Sequence, residues 1–215
     1  MRQMLTLHPD ARCDAVTGIE VEVARPAPLR LALHYAVIGE IADVSVPPET
    51  SPIRADGLWR TTCFEAFVRR PSGEAYCEFN MSPSRQWACY RFDTYRAGMA
   101  PMGGVRSPGV DIVWTGRRLD VRAIWDLDGA PDLPGEGSWH VGLSAVIEEV
   151  GGRLSHWALA HPRGKADFHR AAGFALQLTT MEPCCIWAST GCLPIQTLAR
   201  RSQAGASPCW PIRPR

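Results

Sequence analysis

Apolar and polar residues alternate with a period of two over most of the chain, which is the repeat of a half-buried strand; the 3.6-residue repeat of a helix is almost absent. Ile19, Val21 and Val23 alternate with Glu20 and Glu22, and Leu29, Leu31, Leu33, Tyr35 and Val37 continue the rhythm. Leu119, Val121, Ala123 and Trp125 interleave with Asp120, Arg122 and Asp126, and Trp139, Val141, Leu143, Ala145 and Ile147 repeat the pattern. Turn signals punctuate these runs at Pro71–Glu74, Thr115–Arg117, Pro131–Gly137 and Val150–Arg153. A last strand is predicted at Phe174–Leu178. Tyr95–Pro108, rich in Gly, Pro and Met, and His161–Ala172 are predicted as long loops, where binding groups gather on a sheet scaffold. The pattern predicts an all-β fold, an antiparallel β-sandwich of the jelly-roll kind, as one domain over residues 1–178.

The stretch densest in chemistry is a predicted hairpin, Gly57–Arg69 joined by a short turn to Ala75–Asp93. In its second half Tyr76, Glu78, Asn80 and Ser82 share one face. In the first half Trp59, Thr61, Cys63, Glu65 and Phe67 share one, because side chains alternate across a strand. Trp59 and Glu65 are therefore predicted to look out beside Glu78 and Asn80. That mixture suits a carbohydrate: an aromatic plane packs on the C–H face of a sugar ring, while carboxylates and amides hold its hydroxyls in fixed directions. Two carboxylates on one face also fit a glycoside hydrolase pair, Glu65 with Glu78.

Composition narrows the classes. The 215 residues are 46% apolar and 21% charged, enough for one sizeable core. A net charge of +1 leaves no broad basic field for nucleic acid or an anionic membrane. The first ten residues hold no apolar run of signal-peptide length, and none elsewhere approaches a membrane span, so a soluble cytoplasmic protein is expected. Cys13, Cys63, Cys77 and Cys89 are scattered singly and read as reduced, mostly buried thiols. His156, His161 and His169, spaced by five and eight residues, match no ligand pattern, so no metal is expected and the histidines read as loop-fixing groups. Ser155 beside His156 lacks a nucleophile elbow, and neither a GxGxxG nor a Walker A loop is present, so no cofactor is expected.

Leu58-Trp59, Glu65-Ala-Phe67, Tyr76-Cys-Glu-Phe-Asn80, Ser82-Pro-Ser84, Trp87-Ala88, Tyr90-Arg-Phe-Asp93 and Tyr95-Arg96 together resemble bacterial DOMON-like proteins, which are similar to the carbohydrate-binding modules of family nine. His156-Trp-Ala-Leu159, His161-Pro162 and Lys165-Ala-Asp-Phe-His169 look like the same group's C-terminal signature, and the resemblance covers residues 1–178. It implies a non-catalytic module holding a sugar between two aromatic residues, with Trp59 and Glu65 as one aromatic and its carboxylate. Asn80 and Trp157 are its candidates for the amide and the second aromatic, with Trp87 as the other choice for that ring. Other DOMON relatives bind haem through Met and His; Met81, Met99, His156 and His161 are the residues that would serve that alternative.

Residues 179–215 break the alternation, gather Pro, Cys and Arg, and read as a disordered tail. A second reading comes from the codons. Read in another frame from the Ile186-Trp187 junction, with codons chosen at the free positions, the tail gives Met-Gly-Ile-Asp-Arg-Leu and later Gly-Arg-Arg-Val-Ala-Leu-Leu. That text resembles the N-terminus of the exo-N-acetylmuramidase family. The tail is then an overlap with a downstream gene or a frameshift product, the partner is an exo-N-acetylmuramidase-like neighbour, and a murein-derived amino sugar becomes the favoured ligand.

Overall fold

The computed structural model of the chain describes residues 1–130, 133 and 135–180. Among them, twelve strands follow in order: β1 (Arg2–Leu7), β2 (Val16–Ala27), β3 (Arg30–Gly39), β4 (Cys63–Arg69), β5 (Tyr76–Met81), β6 (Trp87–Phe92), β7 (Ala100–Pro101), β8 (Asp111–Thr115), β9 (Arg118–Asp126), β10 (Trp139–Glu148), β11 (Leu154–Ala158) and β12 (Leu176–Leu178). One sheet runs β8-β9-β3-β2-β1 and the other β7-β6-β5-β4-β10-β11, with β12 also on β10. All the strand pairings are antiparallel. The first strand joins both: Arg2–Leu5 pair with β2 and Thr6–Leu7 with β11, so the sheets are continuous there and curl over one another. The protein is an all-β antiparallel sandwich.

The core forms where the alternation of the sequence points inward. Ile19, Val21, Leu31, Leu33 and Val121 from the first sheet meet Phe64, Ala66, Phe79, Met81 and Ala145 from the second, each essentially inaccessible to water. Apolar burial on this scale is the dominant favourable contribution to the fold. The phenol of Tyr35 crosses the core and donates to the main-chain oxygen of Glu65 at 2.6 Å, satisfying its one polar atom and tying β3 to β4.

Two departures from the sequence pattern shape the site. Ala75–Asp93 is not one continuous strand: Ser82–Gln86 form a turn, with Ser82 N donating to Gln86 O at 2.9 Å and Arg85 at φ +73°, so β6 folds back antiparallel on β5. And Trp59 is not on a strand. Gly57, at φ +72°, admits a 3-10 turn over Leu58–Arg60 that lifts Trp59 off the sheet. Alternation did not mark β1, β8 or β11; β8 is an edge strand with no buried residue, which leaves nothing for a hydrophobic period to record.

Cys63, Cys77 and Cys89 are buried and Cys13 half-buried. Among the described residues, no helix is long and apolar enough to cross a membrane. The readings of the tail, as disordered or as an overlap or frameshift product, fall on residues outside those described.

Candidate functional site

The outer face of the second sheet is covered rather than solvated. Cross-strand register puts Ser144 of β10 opposite Glu65 of β4, Glu65 opposite Asn80 of β5, and Glu78 opposite Tyr90 of β6. His156 of β11 stands opposite Val146 in the next rank. The loops 93–98 and 160–174 fold over this face, and Phe67, Tyr76, Phe92 and Phe174 form a second apolar cluster beneath them. Between the loops lies a cleft of about 290 Å³, lined by Trp59, Glu65, Glu78, Phe92, Arg96, Met99, Val146, His156, Ala166, Phe168 and His169. It is at the small end of ligand pockets, which run from about 300 to 1,000 Å³.

The floor carries two carboxyl groups that are nearly inaccessible, Glu65 at 3% and Glu78 at 4% exposure. Ser144 Oγ donates to Glu65 Oε2 at 3.1 Å, and Asn80 Nδ2 donates to Glu78 Oε1 at 2.8 Å. Burial raises both groups above the carboxylate range, Glu65 to about 8 with further repulsion from Glu78, and Glu78 to about 7 against the pull of the Asn80 bond and Arg96. His169 Nε2 stands 3.8 Å from Glu78 Oε2, and burial and the nearby Arg96 charge push its imidazole down to about 4, so it is neutral at pH 7.

The walls are held by one acid. Asp167 accepts from Tyr95 Oη at 2.5 Å, Arg96 Nη2 at 2.9 Å, the His169 main-chain nitrogen at 3.2 Å and Arg170 Nε at 3.3 Å. Burial works to raise this carboxyl, but the bonds from Tyr95 and Arg96 outweigh it and hold it down at about 2. A tight turn presents Arg96: Asp93 N donates to Ala97 O at 3.0 Å, Ala97 N to Thr94 O at 3.1 Å, and Arg96 itself takes φ +53°. Gly98, at φ +67°, closes it where any Cβ would meet the Asp93 carboxylate at 2.0 Å.

Of the six residues singled out from sequence, Trp59, Glu65 and Glu78 line the cleft, and Asn80 lies beneath it, wholly buried on Glu78, its Oδ1 without a hydrogen-bond partner among the described residues. Trp59 remains 37% exposed and meets Tyr90 edge-on at 6.1 Å. The structure does not bring Trp87 or Trp157 to the cleft. The turn at Ser82–Gln86 sets Trp87 opposite Met81 on the inner face, against Trp125 at 5.7 Å and under the Arg54 guanidinium. Trp157 follows His156 in β11, so alternation turns His156 to the cleft and Trp157 into the core, where its Nε1 donates to Ser155 Oγ at 3.1 Å. The residues named for the haem alternative are likewise split: Met99 and His156 line the cleft, Met81 is in the core, and His161 Nε2 is bonded to Thr6 O at 2.8 Å.

Arg96 and His169 are site residues that strand-based reading passed over, and His156 was named only for the haem alternative. Arg96 and His169 lie in the two long loops, which carry no period that says which side chain turns inward, while His156 lies in β11, which alternation did not mark. Among the described residues no group of three or more potential ligands is placed to hold a metal ion.

No family model and no curated protein matches this sequence. Its structure is similar to that of a candidate carbohydrate-binding protein from Bacteroides uniformis ATCC 8492, with a TM-score of 0.61 and 14% identity over 84% of this chain and 86% of that one. A family 9 carbohydrate-binding module from Caldicellulosiruptor kristjanssonii, in complex with glucose, matches with a TM-score of 0.42 and 11% identity over 80% of each chain. The first likeness establishes the architecture: this chain has the curled antiparallel sandwich of the Bacteroides protein.

Proposed function

We propose that this protein binds a small carbohydrate in the cleft between loops 93–98 and 160–174 without transforming it. The observation that carries this is the composition of one small cleft: a partly exposed indole, Trp59, at its rim, and two buried carboxyls, a guanidinium and two imidazoles within. Ser144 and Asn80 each occupy one oxygen of the carboxyl they hold, so the remaining oxygens are available to hydroxyl groups. A ring that stacks on Trp59 while its hydroxyls reach Glu65 and Glu78 satisfies both halves of the site. The cleft volume suits a monosaccharide or the end of a chain.

Glycoside hydrolysis divides labour between an acid kept protonated and a partner kept ionised, which needs environments that push the two apart. Here burial raises Glu65 and Glu78 together, so the surroundings that would keep one as the acid also work against ionising the other. Murein-derived amino sugars lead the ligand set because of the alternate reading of the tail codons, which also supplies the link to a muramidase-like neighbour.

Isothermal calorimetry with glucose, N-acetylglucosamine and N-acetylmuramic acid tests the reading. Binding of at least one sugar, weakened tenfold or more by Trp59→Ala, is expected. Silence with every sugar refutes carbohydrate binding, and release of nitrophenol from a chromogenic glycoside that stops in Glu65→Gln refutes the non-catalytic part.

A further inference from the structure

Behind Glu78 runs a chain of polar groups that the cleft lining does not itself explain. Tyr76 Oη accepts the Arg96 main-chain N–H at 3.2 Å and lies 2.7 Å from His169 Nδ1. His169 Nε2 then lies 3.8 Å from Glu78 Oε2, while Glu78 Oε1 is held by Asn80. Every ring in this chain is packed in place: Tyr76 stacks on Phe92 at 4.6 Å, and His169 meets Phe67 at 5.1 Å and Phe92 at 5.2 Å.

We infer that Tyr76, His169 and Glu78 form a reader for one hydroxyl group, in which the imidazole donates to the hydroxyl oxygen and the Glu78 carboxylate accepts its proton. The inference rests on the carbohydrate reading of the cleft and extends it to a specificity-determining residue. Three steps lead to it. Tyr76 Oη already accepts a hydrogen bond from the Arg96 main-chain N–H, and among the described residues His169 Nδ1 is the group placed to accept its own O–H; that donation sets the imidazole as the Nε2–H tautomer. The imidazole is neutral, so Nε2–H is a plain donor rather than half of an ion pair with Glu78. And 3.8 Å is too long for a direct hydrogen bond but is the span that one oxygen bridges when it sits about 2.8 Å from each partner, at an angle of roughly 90°.

Chemistry sets what fits between them. An ammonium has no lone pair to accept from Nε2–H. An ether oxygen or a fluorine has no proton for the carboxylate. A hydroxyl supplies both, and a site built to pair both rejects an analogue that leaves a buried group unpaired.

Two measurements on the full chain at pH 8 test this. Long-range proton–nitrogen NMR of the imidazole of His169 is expected to show the Nε2–H tautomer; a protonated Nδ1 overturns the inference whatever the sugars do. Calorimetry with glucose and N-acetylglucosamine, each beside its series of monodeoxy analogues, is expected to show one analogue binding about tenfold more weakly than its parent. His169→Phe keeps the ring packing and is expected to bind parent and that analogue alike, at the weaker affinity, while the other analogues keep their order. Glu78→Gln, which keeps the Asn80 contact, is expected to lose the same discrimination. A uniform loss across the series in both variants, or discrimination that survives them, overturns the hydroxyl reader and leaves carbohydrate binding standing. Silence with every sugar in the wild type overturns carbohydrate binding and the reader with it.

Discussion

Replacing Glu65 by Gln removes a carboxyl that the fold holds in its neutral form. The group stands at about 8 in the folded chain against an ordinary value of 4.5, first because it is buried and then because Glu78 repels its charge. A folded value raised above the unfolded one means stability that is fully present below about pH 4.5 and is lost as pH rises through 8. Across that window the wild type loses about 1.4 kcal/mol per pH unit for this group alone, an upper bound of order 5 kcal/mol above pH 8. Gln keeps the shape and an acceptor for Ser144 but does not ionise, so Glu65→Gln should lack that loss. The assay is urea unfolding of both proteins at half-unit steps from pH 4 to 9. The stability gap between variant and wild type should be smallest at pH 4, widen in the variant's favour through pH 5 to 8, and then level off. A gap that stays constant with pH refutes the claim that the fold holds Glu65 protonated.

Trp59→Ala should leave the midpoint of unfolding within about 0.5–1 kcal/mol of wild type, because the residue is partly exposed and touches Tyr90 by an edge, while it removes sugar binding in calorimetry. Trp157→Ala should do the reverse, costing about 3–5 kcal/mol by denaturant titration with binding retained in the folded fraction, since the ring is core packing. Asp167→Asn should loosen both walls of the cleft, seen as faster amide exchange in residues 93–98 and 165–170. In the wild type the same carboxyl, depressed to about 2, contributes stability above its ordinary value of 3.8 that is lost as pH falls through 2, a loss the Asn variant should not show. His169, depressed to about 4, adds an acid-side loss from pH 6.5 downward that His169→Phe should remove.

The fold class was legible because half-buried strands write their exposure into the chain every second residue. Ile19–Val23, Leu31–Val37, Leu119–Trp125 and Val141–Ile147 are core strands on that signal alone, and Glu65, Glu78 and Asn80 were assigned to one face by the same parity. Parity fails across an unrecognised turn. The 3-10 turn at Leu58–Arg60 moved Trp59 to a rim, Trp87 keeps the inward parity of Cys77, Phe79 and Met81 across the bend at Ser82–Gln86, and an adjacent-residue choice in β11 gave the cleft His156 in place of Trp157.

The sequence by itself determined that this chain alternates, closes a sandwich core, and carries acids and an amide on one outward face, since each of those is a local property of residue order. Only the tertiary structure decided that loops 93–98 and 160–174 cover that face, that Asp167 clasps them, and that Arg96, His156 and His169 join Glu65 and Glu78 in one small cleft. Those meetings span as many as 104 residues, from Glu65 to His169, and rest on burial and hydrogen-bond satisfaction, for which no repeat along the chain is a signal.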